Sequence, residues 1–354
     1  MRGNKTKKSE MMKYFKPIKI NKKSKDKFKK FNKAKERNKY QSKSFNNNNL
    51  IKKITFIFIL IILFIILRKR NKKPQKSKIK VAMCAIARKE NRYIKYFIEF
   101  YKKIGYDHIY LYDNNDPEDE SVDDVQVVKD GIKEGYITLI NYKDIPYHPN
   151  MLSQMKAYYS CYENYNLEYD WISFFDIDEF LILQPKGITI QEFLDNPIYN
   201  DCDNIKFSWK VFTDNNQLEY QEGSPIDRFP IETKFKYENR HVKSIARGGL
   251  NYTNYKRTNN PHCIWSDIKS CTSSGKPIDS SPYIMPPDTK TSWLNHYVTK
   301  SVREFFEKKY KSKIDVDTIS KSTKDYLFNY FFAVNEKTKE KIDLFNQIYH
   351  TNYQ

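Results

Sequence analysis

The chain has 354 residues and a formal net charge of +20, which at first sight suits a nucleic-acid binder. The distribution excludes that class: residues 1–80 hold 28 of the 63 Lys and Arg but only three of the 43 acids, leaving 35 basic and 40 acidic groups for the rest. A mildly acidic folded part cannot track a phosphate backbone, so no nucleic-acid partner is expected.

Residues 1–49, rich in Lys and Asn with little to bury, read as a disordered basic tail. The run "LIKKITFIFILIILFIILRKR" follows. Ile54 to Leu67 is uncharged and rises about 21 Å as a helix; with Lys52 and Lys53 snorkelling, Leu50 to Leu67 suffices for a thin bilayer. Residues 50–67 are therefore expected to be a transmembrane anchor in contact with the lipid bilayer, and 68–78 a basic stem. The basic flank after the apolar run leaves no small-residue cleavage site. Both flanks are basic, and the longer upstream arm favours a cytosolic N-terminus. Five cysteines cannot all pair; Cys263 and Cys271 are the expected couple if the domain is luminal. Asn251 opens an "NYT" glycosylation signal.

From Ile79 the pattern is that of an α/β domain, residues 79–354. "IKVAMCAIA" (79–87) reads as a strand buried on both faces, and "NRYIKYFIEFYKKIG" as a helix with Ile94, Phe97, Ile98, Tyr101 and Ile104 on one side and Gly105 as its stop. Residues 108–116 and 136–142 read as strands, 151–165 as a helix and "WISFFD" (171–176) as a fourth strand. The order predicts a mainly parallel sheet flanked by helices, with right-handed crossovers. Residues 204–212 suggest a further strand, and 301–310 and 324–349 C-terminal helices. There is no internal repeat and no Gly-rich phosphate loop.

Ligands in such sheets bind outside the carboxyl ends of the strands. Three of those ends are Ala87–Arg88, Asp113–Asn114 and Asp176–Asp178. Asp176, Asp178 and Glu179 follow a run of large apolar side chains with no Lys or Arg in the stretch. Buried carboxylates need compensation, and their oxygen donors suit Mn²⁺ or Mg²⁺. Two carboxylates leave coordination positions open for phosphate oxygens, so a nucleotide is the expected co-ligand.

"CAIARKENRYIKYFIEFYKKIGYDHIYLYDNND" with "WISFFDIDEFL", followed in order by "DNNQLEY…PIDRF", "KSIARGG", "NPH" and "NHYVTKSVREFFEKK", resembles the GT-A-fold glycosyltransferases of family 92 and the related family 2-like group. The resemblance runs from about Lys80 to about Lys309. It implies a type II protein of the Golgi or ER membrane with a luminal catalytic domain. That domain would move a sugar from a nucleotide-sugar donor, UDP-linked by analogy, to a hydroxyl of a glycan or glycoconjugate acceptor. By the same analogy Asp176 and Asp178 bind metal and the donor's ribose and diphosphate. Ala87, Arg88, Glu90 and Asp113 border the nucleoside, and His296 completes the metal shell. Asp214 in "TDNN" is the candidate general base of an inverting reaction, with Glu219, Glu222 and Asp227 nearby. Asp113 equally suits a turn, His296 a core histidine, Arg247 a phosphate or an ion pair, and His262 a structural role or an acceptor wall. The rival functions are a GT-A-like binding protein without turnover and a metal-dependent phosphohydrolase.

Overall fold

The computed structural model describes residues 55–56, 79–117, 119–143, 151–309 and 321–351. The chain divides into two units, residues 1–76 and 77–354. The expected tail (1–49), anchor (50–67) and stem (68–78) lie essentially outside the described residues. Among those that are described, no helix is long and apolar enough to cross a membrane.

The second unit is a mixed α/β domain. Strand β1 (Val81–Ala87) pairs in parallel with β2 (His108–Asp113), and β2 with β3 (Ile137–Asn141). On its other side β1 pairs in parallel with β4 (Trp171–Phe174). Helices α1 (Asn91–Lys103), α2 (Gln126–Lys133) and α3 (Ser153–Tyr165) connect them. Alternate side chains of β1 enter different cores: Val81, Met83 and Ala85 join one, Ala82 and Cys84 the other. A strand packed on both faces has no polar side, which is why it reads as an unbroken apolar run.

Beyond β4 the sheet departs from the expected mainly parallel pattern. Strand β5 (Glu179–Leu183) and the short helix α4 (Ile190–Leu194) precede β6 (Asn204–Val211). After α5 (Pro225–Arg228), β7 (Val242–Arg247) inserts antiparallel between β4 and β6. The small strands β8 (Ser270–Thr272) and β9 (Pro277–Ile278) extend from β6. Strand β10 (Ser292–His296) is parallel to β6 and antiparallel to β5. The main order is β3-β2-β1-β4-β7-β6-β10-β5. Helices α6 (Val302–Lys309), α7 (Lys321–Val334) and α8 (Lys339–Thr351) form a satellite core around Phe305, Phe331 and Phe345. A disulfide joins Cys202 to Cys271, and Cys263 is buried and free, so the expected Cys263–Cys271 pair is not formed. The β6–β8 ladder sets Ile205 against Cys271.

Candidate active site

The cavity lies outside the carboxyl ends of the parallel strands and has a volume of about 570 Å³. Arg88, Asn114, Asp176 and Asp178 line it, so the three expected strand ends do meet there. The fourth strand stops at Phe174, two residues short of the expected Asp176. The acidic residues therefore sit on the turn into β5, where each side chain finds its own partners.

Asp176 receives Lys243 Nζ at 2.8 Å, Gln154 Nε2 at 2.5 Å and the Tyr158 hydroxyl at 3.1 Å. Lys243 reaches it because β7 runs antiparallel to β4: Ser244 is opposite Phe174, which carries Lys243 past the strand end. Burial would raise the Asp176 carboxyl, but the Lys243 ammonium more than reverses this and holds it below its usual range. Glu179 is wholly buried, 3.9 Å from Lys243, and accepts the Asp176 backbone N–H at 2.9 Å. Burial pushes its carboxyl well up, only partly offset by Lys243.

Asp178 faces the other way. Its Oδ2 receives Lys308 at 2.6 Å and Lys300 at 3.5 Å, and its Oδ1 lies 3.6 Å from His296 Nε2. Burial would raise this carboxyl as well; Lys308, Lys300 and His296 together drive it well below the usual range. His296 arrives opposite Glu179 in the β10–β5 ladder. Burial lowers its imidazole despite Asp178, and its Nδ1 has no hydrogen-bond partner among the described residues. Glu90, at the start of α1, pairs with Lys308 and lies 4.0 Å from Lys300. Lys309 also lines the cavity and makes no ion pair among the described residues; burial and its neighbour Lys308 pull its ammonium down to about 8.

The acidic cluster is thus compensated by Lys243, Lys300 and Lys308, which lie 67, 122 and 130 residues from their partners and were invisible to local reading. Among the described residues no three His, Cys, Asp or Glu side chains are arranged to hold a metal ion. Asp178 and His296 do bring a carboxylate oxygen and an imidazole nitrogen together, 3.6 Å apart. That donor chemistry fits Mn²⁺, or Mg²⁺ less well, at the level of two ligands.

The remaining candidates divide. Arg88 lines the cavity, but its Nη2 donates to both carboxylate oxygens of Asp116, at 2.7 and 3.0 Å. Ala87 and Asp113 are buried beside it and do not line it. Asp113 accepts the N–H groups of Asn115 and Val122 and the Ser121 hydroxyl, and so organises the turn after β2. Asp214, the expected base, is also no part of the cavity wall. It is buried, paired with Lys341 at 2.8 Å, and accepts the Asn216 N–H at 3.0 Å, fixing a turn in which Asn215 and Asn216 both have positive φ. Asn enters the left-handed region readily, so "TDNN" is a turn signature. Glu219 and Asp227 do not line the cavity either, nor does Glu222, which pairs with Lys95. Arg247 donates to the Tyr199 and Cys202 carbonyls, a structural role.

Trp209, His241, His262 and Glu238 also line the cavity, the Trp209 ring 4.0 Å from that of His296. The His241 ring stacks on Trp209 at 4.9 Å, and the Trp209 indole N–H is buried without a partner among the described residues. Glu238 faces His241 Nδ1 at 3.4 Å and has no lysine or arginine partner among the described residues.

A mixed α/β sheet with a charged cavity at the carboxyl ends of its parallel strands defines an α/β enzyme of the kind that binds its ligand at that edge. The chain matches glycosyltransferase family 92 over residues 77–352 and belongs to that family; it is a glycosyltransferase. No curated protein matches it. Among solved structures it is similar to S. aureus TarS at 10% identity and a TM-score of 0.32, covering 73% of this chain and 44% of that one. It thus spans less than half of that protein's length.

Proposed function

We propose that the chain moves a sugar from a nucleotide-sugar donor, UDP-linked by family analogy, to a hydroxyl of a glycan or glycoconjugate acceptor. The observation that carries this reading is the cavity at the strand ends. Asp176, Asp178 and His296 line it together with Lys308, and Trp209, whose ring lies 4.0 Å from that of His296, lines it beside them with Glu238. Arg88 and Asn114 would flank the nucleoside, and Asp176 and Asp178 the diphosphate.

Asp178 and His296, with Asp176 alongside, would hold Mn²⁺ or Mg²⁺. When bound, such an ion offsets the charge gathering on the departing diphosphate. Glu238 replaces Asp214 as the proposed general base: it lines the cavity and has no lysine or arginine partner among the described residues, whereas Asp214 is paired with Lys341. An inverting reaction needs one such carboxylate to take the acceptor's proton.

The Cys202–Cys271 disulfide favours an oxidising compartment, and the surface position of Asn251 suits glycosylation there. Both support a type II arrangement in the ER or Golgi membrane, with residues 50–67 as the anchor and the domain in the lumen.

The test is hydrolysis of a panel of UDP- and GDP-sugars by the full chain with Mn²⁺, water serving as acceptor. One donor should turn over. Glu238→Gln should lose about 10²–10⁴-fold in rate at unchanged donor affinity, and Asp214→Asn should keep its rate when folded. No hydrolysis and no binding across the panel would refute the reading, and a near-normal Glu238→Gln would remove Glu238 from the role of base.

A further inference from the structure

Six arginines of the described domain end on an oxygen. Arg88, Arg92, Arg228, Arg257 and Arg303 each pair with a carboxylate, and Arg247 donates to backbone carbonyls. Arg240 is the exception. Among the described residues its guanidinium makes no ion pair and no hydrogen bond, and its Nε is buried without a partner. It lies instead against two tyrosine rings, 3.6 Å from the centre of the Tyr237 ring and 4.3 Å from that of Tyr283. Stacking of this kind uses the flat faces of a guanidinium and leaves its terminal N–H groups, which lie in its plane, for an acceptor. The two acids nearest in the chain are engaged elsewhere: Glu232 pairs with Lys236 at 2.7 Å, and Glu238 faces His241 Nδ1 at 3.4 Å.

The backbone sets this position beside the cavity. Lys236–Arg240 forms a short 3₁₀ helix that carries Glu238. The Arg240 carbonyl accepts the Ile284 N–H at 2.8 Å, and His241 bridges to Tyr283 in antiparallel register. That bridge puts the Tyr283 ring 4.9 Å from the His241 ring, and His241 lines the cavity. Tyr237 and Tyr283 are 52% and 40% exposed, so the stacked arginine stands among surface rings next to the cavity wall.

We infer that Arg240, held against Tyr237 and Tyr283, binds an anionic group carried by the acceptor, either the carboxylate of a uronic acid or a phosphate ester on the glycan. This rests on the transferase reading with Glu238 as base. A hydroxyl presented to Glu238 belongs to an acceptor whose body runs past His241 to the two tyrosines. A carboxylate or phosphate offers paired oxygens to the guanidinium fork, and the exposed rings beside it cover C–H groups of the same sugar. A neutral glycan gains no charge-assisted contact there, so the subsite selects for charge.

The probes are methyl glucoside, methyl glucuronide and methyl glucoside 6-phosphate, titrated into the full chain by ligand-observed NMR, with UDP and GDP titrated alongside. The wild type should bind at least one of the two anionic sugars about tenfold more tightly than the neutral one, the contribution of one charge-assisted pair. The tighter of the two identifies the source of the charge. Arg240→Gln should bind all three alike, and Arg240→Lys should keep part of the preference, because it keeps the charge and loses the fork. An unchanged melting temperature for Arg240→Gln shows that folding is not the cause. Equal affinity of the wild type for the three sugars, no binding of any of them, or a charge preference that survives Arg240→Gln overturns the inference. A loss of UDP and GDP affinity in a folded Arg240→Gln also overturns it, by placing Arg240 at the donor end. Wild-type nucleotide binding without a charge preference among the sugars leaves the transferase reading standing, whereas absence of any nucleotide binding removes both.

Discussion

Replacing Lys243 with methionine removes the only ammonium within ion-pair reach of Asp176 among the described residues while keeping a side chain of similar length. Lys243 is fully buried, 2.8 Å from Asp176 and 3.9 Å from Glu179. At an effective dielectric of about 20, the shorter contact corresponds to roughly 6 kcal/mol of attraction before desolvation is counted. Breaking a buried pair from one side generally costs about 3–5 kcal/mol. Asp176 keeps two neutral donors, Gln154 and Tyr158, and its side chain is 32% exposed to the cavity, so the lower end applies. Lys243→Met should therefore destabilise by about 3 kcal/mol. Asp176→Asn alone should cost about as much, because it strands a buried ammonium. The double variant should be at least about 2 kcal/mol more stable than the sum of the two losses implies. Urea unfolding of the purified chain, followed by tryptophan fluorescence, measures all three. A coupling below about 0.5 kcal/mol would refute the claim that Lys243 is what balances this carboxylate.

Other expectations concern packing, pH and cross-linking. Gly248→Ala should cost more than about 3 kcal/mol, since its methyl would overlap the backbone carbonyl of Tyr169 and sit 2.5 Å from that of Asn166; a thermal shift under about 3 °C would contradict this. His262 is held down to about 3 by burial and by the nearby Lys243 ammonium. Its folded value lies below the unfolded value of about 6.5, so the unfolded state takes up the proton first and stability falls with pH below 6.5, by about 2 kcal/mol at pH 5. Unfolding of His262→Gln against wild type across pH 5–8 should show a flatter profile for the variant; parallel profiles would contradict it. The Cys202–Cys271 bridge spans 69 residues, and on the chain-entropy view its reduction should lower stability by up to about 4 kcal/mol; urea midpoints with and without reductant decide.

Much of the first half of the domain was legible in the sequence because its signals are local. Buried parallel strands are continuous apolar runs, and α1 shows its helical stripe. Strand β4 was read two residues too long, because nothing in "WISFFDIDEF" marks where pairing ends; the antiparallel neighbour β7 decides that. Helix α2 went unread: it is short, and Gly131 interrupts it where it packs against Ile137. The candidate site divides in the same way. Asp176, Asp178, Glu90 and His296 could be picked out from a local motif or a resemblance, and all four line the cavity. The lysines that balance them come from β7, the segment before α6 and the end of α6 itself, and no local pattern separates them from the many other lysines. Asp214 lies off the cavity wall, paired with Lys341, because "DNN" signals a left-handed turn as well as it signals a site.

The most direct test of the account is donor binding at Asp178. Calorimetric titration of the nucleotide-sugar that the panel selects, into wild type and Asp178→Asn in Mn²⁺, should give measurable affinity for the first. For the second it should show a loss of at least about tenfold, with both variants folded. Equal affinities would contradict the account and leave the acidic turn as a structural feature alone.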